Sequence, residues 1–220
     1  MTWAAAGRRA SRWVVITAAS DASFREKILQ EAIEIVQKHG AEGVTMRSLA
    51  ERLGHSPATL YMRFRSKREL LRALALEGFD RLMEAVGPAL RLPDPIEAMV
   101  EGGKRYIDFG LANPEIYRLM FQDISIATLP PEDLAPRSRV WSLFRETHAR
   151  GIASGALRKG DPDAFNMVGW SLLHGFVLLA LSGRNPAPFM EGRSQGQVRE
   201  EVIATWVRAF KARPEAGNGR

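Results

Sequence analysis

Residues 45–64 read TMRSLAERLGHSPATLYMRF, and the fold turns on this stretch. Leu49, Ala50 and Leu53 recur at helical spacing and share one face of a short helix. Gly54 supplies the positive φ that a sharp reversal needs. Ser56 then offers a capping hydroxyl, and Pro57 takes the first helical position, where its missing N–H costs nothing. Leu60 and Phe64 are i,i+4 partners pointing inward, which leaves Pro57, Ala58, Thr59, Tyr61, Met62 and Arg63 outward. Ala50 stands where two helices must cross closely, a place that favours a small side chain. Helix, turn, helix is therefore the prediction. A short helix with a small, polar and basic outer face, braced by another, is what entry into the major groove of DNA requires.

Outward from this motif the pattern stays helical, and no period-2 strand interrupts it. Ser23 and Glu26 form a capping-box pair expected to open a first helix. Ile28, Ala32, Ile35 and Val36 share its inner face, and Gly40 stops it. Thr45 caps the second helix. Ser66 and Glu69 form another capping box, opening a long fourth helix through Leu70, Leu74 and Leu82 toward Gly87-Pro88. Residues 87–94 read as a hinge, and Asp94-Pro95 starts a new element. Asn113-Pro114 starts a short helix, residues 128–136 a loop, and a helix is expected from about Arg137 to Ser154. Asp161-Pro162 opens an uncharged helix ending near 183–188. The final helix spans about Ser194 to Arg213. The fold class is all-α: a three-helix helix-turn-helix domain over 23–71, suited to DNA binding, joined by its long fourth helix to a second helical domain over 72–213. Residues 1–22 and 214–220 read as disordered tails.

Charge follows the same division. Residues 1–72 hold 13 Lys/Arg against 7 Asp/Glu, and residues 73–220 hold 18 against 18. The whole formal excess of +6 thus sits with the motif, where it would attract phosphates. The chain has no cysteine, which excludes disulfides, thiolate metal sites and cysteine nucleophiles and fits a reducing cytoplasm. Its four histidines, His39, His55, His148 and His174, show no metal-binding spacing, and no phosphate loop occurs. Neither an enzyme, a metal nor a cofactor is expected. Ala164 to Gly183 carries no formal charge and is long enough to span a bilayer. Its polar residues and the lack of flanking basic clusters favour a helix buried in protein, with no membrane partner.

The run from about Phe24 to Leu71 resembles the N-terminal domain of TetR-family transcriptional regulators. The matching residues are the first-helix pattern, then G-x-x-x-x-T-M-R-S-L-A-E-R-L-G from Gly40, S-P-A-T-L-Y-x-x-F from Ser56, and S-K-R-E-L-L from Ser66. The resemblance implies roles. Thr45 and Arg47 would contact phosphates. Pro57, Ala58, Thr59, Met62 and Arg63 would face the major groove, and Tyr61 would reach the backbone. Lys67, at a helix N-terminus, would hold a phosphate with help from the helix dipole. His55, Met62 and Arg63 depart from the usual family residues. Arg63 suits either a guanine edge or a phosphate, so the operator sequence is not specified.

The resemblance extends to the second half. W-S-L-L-H-G at 170–175 and N-P-E-I-Y-R-L-M-F at 113–121 are similar to the Trp-His-Gly subtype of the family's C-terminal domains. Such domains dimerise and often enclose a small effector. Candidate pocket residues are Tyr117, Phe121, Trp141, His148, Trp170 and His174, and a pocket of that kind would suit a flat or lipophilic compound. Candidate dimer-interface residues are Leu172, Phe176, Val202, Trp206 and Phe210, on two apolar helices that could pair across a two-fold axis. The alternative is that both helices are core. The implied function is a homodimeric repressor on a pseudo-palindromic DNA operator, released by a small-molecule effector. A ligand-independent or activating regulator is the variant reading.

Overall fold

The computed structural model describes residues 18–123, 135–183 and 192–212, without the side chains of 18–22 and 122–123. Sequence expectations for 1–17, 128–134, 184–191 and 213–220 lie outside the described residues. Within them the chain is helical, with nine α-helices: α1 Ala18–His39, α2 Met46–Arg52, α3 Pro57–Tyr61, α4 Lys67–Leu90, α5 Pro95–Ala112, α6 Pro114–Arg118, α7 Ala135–Ala153, α8 Pro162–Leu181 and α9 Gln195–Phe210. A 3-10 turn, Ala41–Gly43, follows α1, and a π-helical turn, Leu119–Asp123, follows α6.

Most starts are set by local chemistry. Ser56, Ser66, Asp94, Asp161 and Ser194 each accept a hydrogen bond from a first-turn backbone N–H. Three expectations are corrected. α1 begins at Ala18, so Ser23 lies inside the helix and caps nothing. The chain from Ala18 holds three alanines before Phe24 and no Gly or Pro, so nothing delays helix formation until Ser23. Ser66 caps α4 as expected, but the Glu69 carboxylate accepts from Arg65 N–H at 2.8 Å and not from Ser66. Finally, α4 runs through Pro88 to Leu90. Gly87 has no Cβ to meet the proline ring, which removes part of the usual clash.

The supposed hinge is clamped. The Arg150 guanidinium donates to the carbonyls of Leu90 at 2.8 Å and Leu92 at 2.9 Å, and the Thr147 hydroxyl donates to Leu90 at 3.2 Å. These donors from α7 satisfy the carbonyls that the end of α4 leaves open.

α5 stands at the centre of the larger half, touching α4, α7, α8 and α9. Glycines permit the closest approaches. A Cβ on Gly103 would sit 3.0 Å from the Trp206 ring, and one on Gly169 would sit 2.7 Å from it. α9 ends at Phe210 because the chain turns extended at Lys211, which bridges to Leu157. Phe210 stacks on Phe165 at 4.2 Å, and the Arg158 guanidinium covers both rings.

Candidate nucleic-acid interface and interior cavity

The smaller half presents α3 to solvent. Its inner residues are fixed: Leu49, Ala50 and Leu60 are fully buried and Phe64 nearly so. Gly54 makes the turn at φ 68°, and the Ser56 hydroxyl accepts from Thr59 N–H. A five-residue helix has no stability of its own, so these anchors hold it. Pro57, Ala58, Tyr61 and Met62 are exposed, Met62 at 74%. Large apolar side chains in water are informative when they cluster on an otherwise polar surface. Thr59 and Arg63 are half-buried, so Arg63 points outward less than its sequence position suggests.

The neighbouring polar residues are held by local contacts. Thr45 caps α2, accepting from Ser48 N–H at 3.0 Å, and stays exposed beside Arg47, which pairs with Glu51. Lys67 begins α4, where the helix dipole also favours an anion, and its Nζ lies 3.4 Å from the Glu42 carbonyl oxygen. Arg52 fixes α2 to α1 by donating to Glu31 at 2.9 Å and to Glu34 at 3.1 Å. His55 sets its ring edge against Phe24, with 4.6 Å between centroids. On the far side of Phe64 lies a groove of about 540 Å³ whose charged lining is Arg25, Arg65, Arg68, Arg72 and Glu69. These arginines were missed as individuals, although the charge surplus of residues 1–72 is their signature.

In the larger half a cavity of about 280 Å³ is lined by α4, α5, α7, α8, α9 and the π-turn. Its lining is aromatic and aliphatic: Phe79, Leu82, Tyr106, Phe121, Val140, Trp141, Phe144, Met167, Trp170, Leu173 and Trp206, with Asn166 and Arg137 as polar members. Of the candidate pocket residues, Phe121, Trp141 and Trp170 line it; Tyr117, His148 and His174 do not. Tyr117 is fully buried behind the wall, its hydroxyl 2.9 Å from that of Tyr106 and 2.7 Å from His174 Nδ1. Burial raises both tyrosine pKa values and lowers that of His174, so all three stay neutral near neutral pH. His148 is fully buried in the core, donating from Nδ1 to the Phe144 carbonyl at 2.8 Å. Burial pushes its pKa down to about 4. Among the described residues no cluster could hold a metal ion.

Comparison with known proteins agrees with this geometry. The family model "Bacterial regulatory proteins, tetR family" matches residues 28–74, and "Tetracyclin repressor-like, C-terminal domain" matches residues 99–206. The chain belongs to the TetR family. Tetracycline repressor protein class C of Escherichia coli is 49% identical over 51 residues, 23% of each chain. The chain thus aligns with about a quarter of that curated relative's length. Among solved structures, a protein of unknown function from Rhodococcus sp. RHA1 superposes with a TM-score of 0.76 at 25% identity, covering 85% of this chain and 95% of that one. The TetR-family regulator PfmR from Thermus thermophilus does so at 0.61 and 28%, covering 82% and 97%.

In this TetR-family chain two of the candidate interface residues follow the alternative, that their helix is core. Trp206 is fully buried and Phe210 is 4% exposed, so neither can lie in a dimer interface. Trp206 packs on Gly103 and Gly169 inside the subunit, and Phe210 on Phe165. Leu172 is exposed, while Phe176 and Val202 are half-buried. The outer face of α8 carries Met167, Val168, Leu172 and Leu179, all exposed. α8 is long and apolar enough to cross a membrane, with only 28% of its most apolar window buried. Its inner residues Phe165, Gly169, Leu173 and Val177 nonetheless belong to the core.

Proposed function

We propose that this chain is a homodimeric transcriptional repressor that binds a pseudo-palindromic DNA operator and leaves it when a small molecule occupies the cavity. The observation that carries the reading is the exposed face of α3, flanked by Thr45, Arg47 and Lys67. Pro57, Ala58, Thr59, Met62 and Arg63 are the groove-facing set, with Arg63 nearest the edge of it. Tyr61 serves as a backbone contact. A second copy seated on the apolar outer face of α8, with Leu172, Phe176 and Val202 in the contact, would cover the Met167–Leu179 stripe. Two-fold pairing sets two α3 helices about 34–36 Å apart, one turn of DNA. The cavity favours effector control over a ligand-independent regulator. An effector shifts the operator equilibrium only by its differential affinity for the two states. The second half is read as the Trp-His-Gly subtype, on Trp170, His174 and Gly175, and a DNA regulator of this kind acts in the cytoplasm.

Fluorescence anisotropy on the DNA upstream of the protein's own gene tests this. The parent should bind with strong salt dependence. Tyr61→Ala and Lys67→Ala should each weaken it, and Lys67→Ala should reduce the salt slope by about 1. Equal binding by both variants at moderate salt would remove this face from the interface.

A further inference from the structure

We infer that the cavity takes an apolar-bodied carboxylate, with the body among the aromatic walls and the carboxylate against Arg137. This rests on the cavity being the effector site proposed above, and it specifies the chemistry. Three ligand classes fit an aromatic cavity: organic cations, neutral lipophiles and organic anions. Aromatic faces attract cations. A cation would also need a counter-charge, and among the described residues no carboxylate lines this cavity. Among the described lining residues the one charged side chain is Arg137, in the first turn of α7, where the N-terminal end of the helix dipole adds to the positive potential.

A guanidinium offers a carboxylate two parallel N–H bonds, which an alcohol cannot use equally. Neutral lipophiles would fill the walls and leave that complementarity unused. At about 280 Å³ the cavity suits a body of one or two rings or a short chain. Arg137 is itself exposed, so it keeps its hydration until a ligand arrives.

The test titrates the full chain with octanoate, 1-octanol and octylamine, read by calorimetry and by the fluorescence of Trp141, Trp170 and Trp206. Octanoate should bind about tenfold tighter than octanol. Octylamine should bind weakest. Arg137→Gln should erase the octanoate advantage and leave octanol affinity within about twofold, and Arg137→Lys should restore part of it. Octanol matching octanoate, octylamine binding best, or Arg137→Gln leaving the ratio unchanged would each overturn the inference. Operator binding is measured in parallel. A protein that binds DNA but none of the three probes loses this proposal and keeps its DNA role. A protein that binds octanoate through Arg137 with unchanged operator affinity keeps the ligand class, and effector control fails instead.

Discussion

His148 offers a direct measurement of what the core excludes. It is fully buried, and desolvation lowers its pKa from 6.5 to about 4, only partly opposed by the Phe144 carbonyl. The unfolded chain therefore binds a proton between pH 6.5 and 4 that the folded chain refuses. Stability is full above the unfolded value and falls as pH drops through that window. Linkage between the two pKa values gives a loss of about 2 kcal/mol at pH 5, approaching about 3 kcal/mol near pH 4. For a domain of this size that is a fall of about 4–8 °C in Tm at pH 5. The assay is urea unfolding, followed by circular dichroism, of the parent and of His148→Gln at about pH 7 and about pH 5. Gln can still donate to the Phe144 carbonyl and carries no proton equilibrium. His174, also lowered by burial, is common to both proteins and cancels. The variant should start less stable at neutral pH and lose about 2 kcal/mol less on acidification. Identical pH slopes for the two proteins would refute a buried, neutral His148.

Further expectations follow from individual contacts. Gly169→Ala should cost about 1–3 kcal/mol in thermal unfolding, because the new methyl meets the Trp206 ring at 2.7 Å and neither group can retreat. Gly54→Ala should cost only about 1 kcal/mol, since nothing lies within 4 Å of its Cβ and the penalty is the positive φ alone. Tyr117→Phe should cost about 1–3 kcal/mol by stranding the Tyr106 hydroxyl and His174 Nδ1, with denaturant midpoints as the readout. Leu172→Lys should give a monomer in analytical ultracentrifugation with parent-like helicity, because the residue is 40% exposed and supports no core.

The sequence was legible where structure is decided locally. Thr45, Ser56, Ser66, Asp94 and Asp161 opened their helices because a cap needs only the next three residues. Periodicity also assigned Leu49, Leu60 and Phe64 to the inside of the motif correctly. It could not say what covers a face. The stripe of α9 fits either a core face or a surface for a second copy, and α5 and α8 of the same subunit cover its Trp206. His148 looked like a ligand contact for the same reason: spacing records that residues share a side, not which neighbour meets it. The Arg150 clamp on the end of α4 joins residues 60 apart, beyond the reach of any local pattern.

α3 divides its residues sharply between two kinds of constraint. Leu60, with Phe64 just beyond the helix, answers only to the interior, whereas Pro57, Ala58, Tyr61 and Met62 are exposed. Substitution on the outer set therefore leaves folding nearly indifferent, while substitution on the inner set is paid in stability. A lineage of such proteins can then acquire new recognition preferences by changing the outer residues alone. Divergence after duplication should accumulate there first, with Leu49, Ala50 and Leu60 standing still.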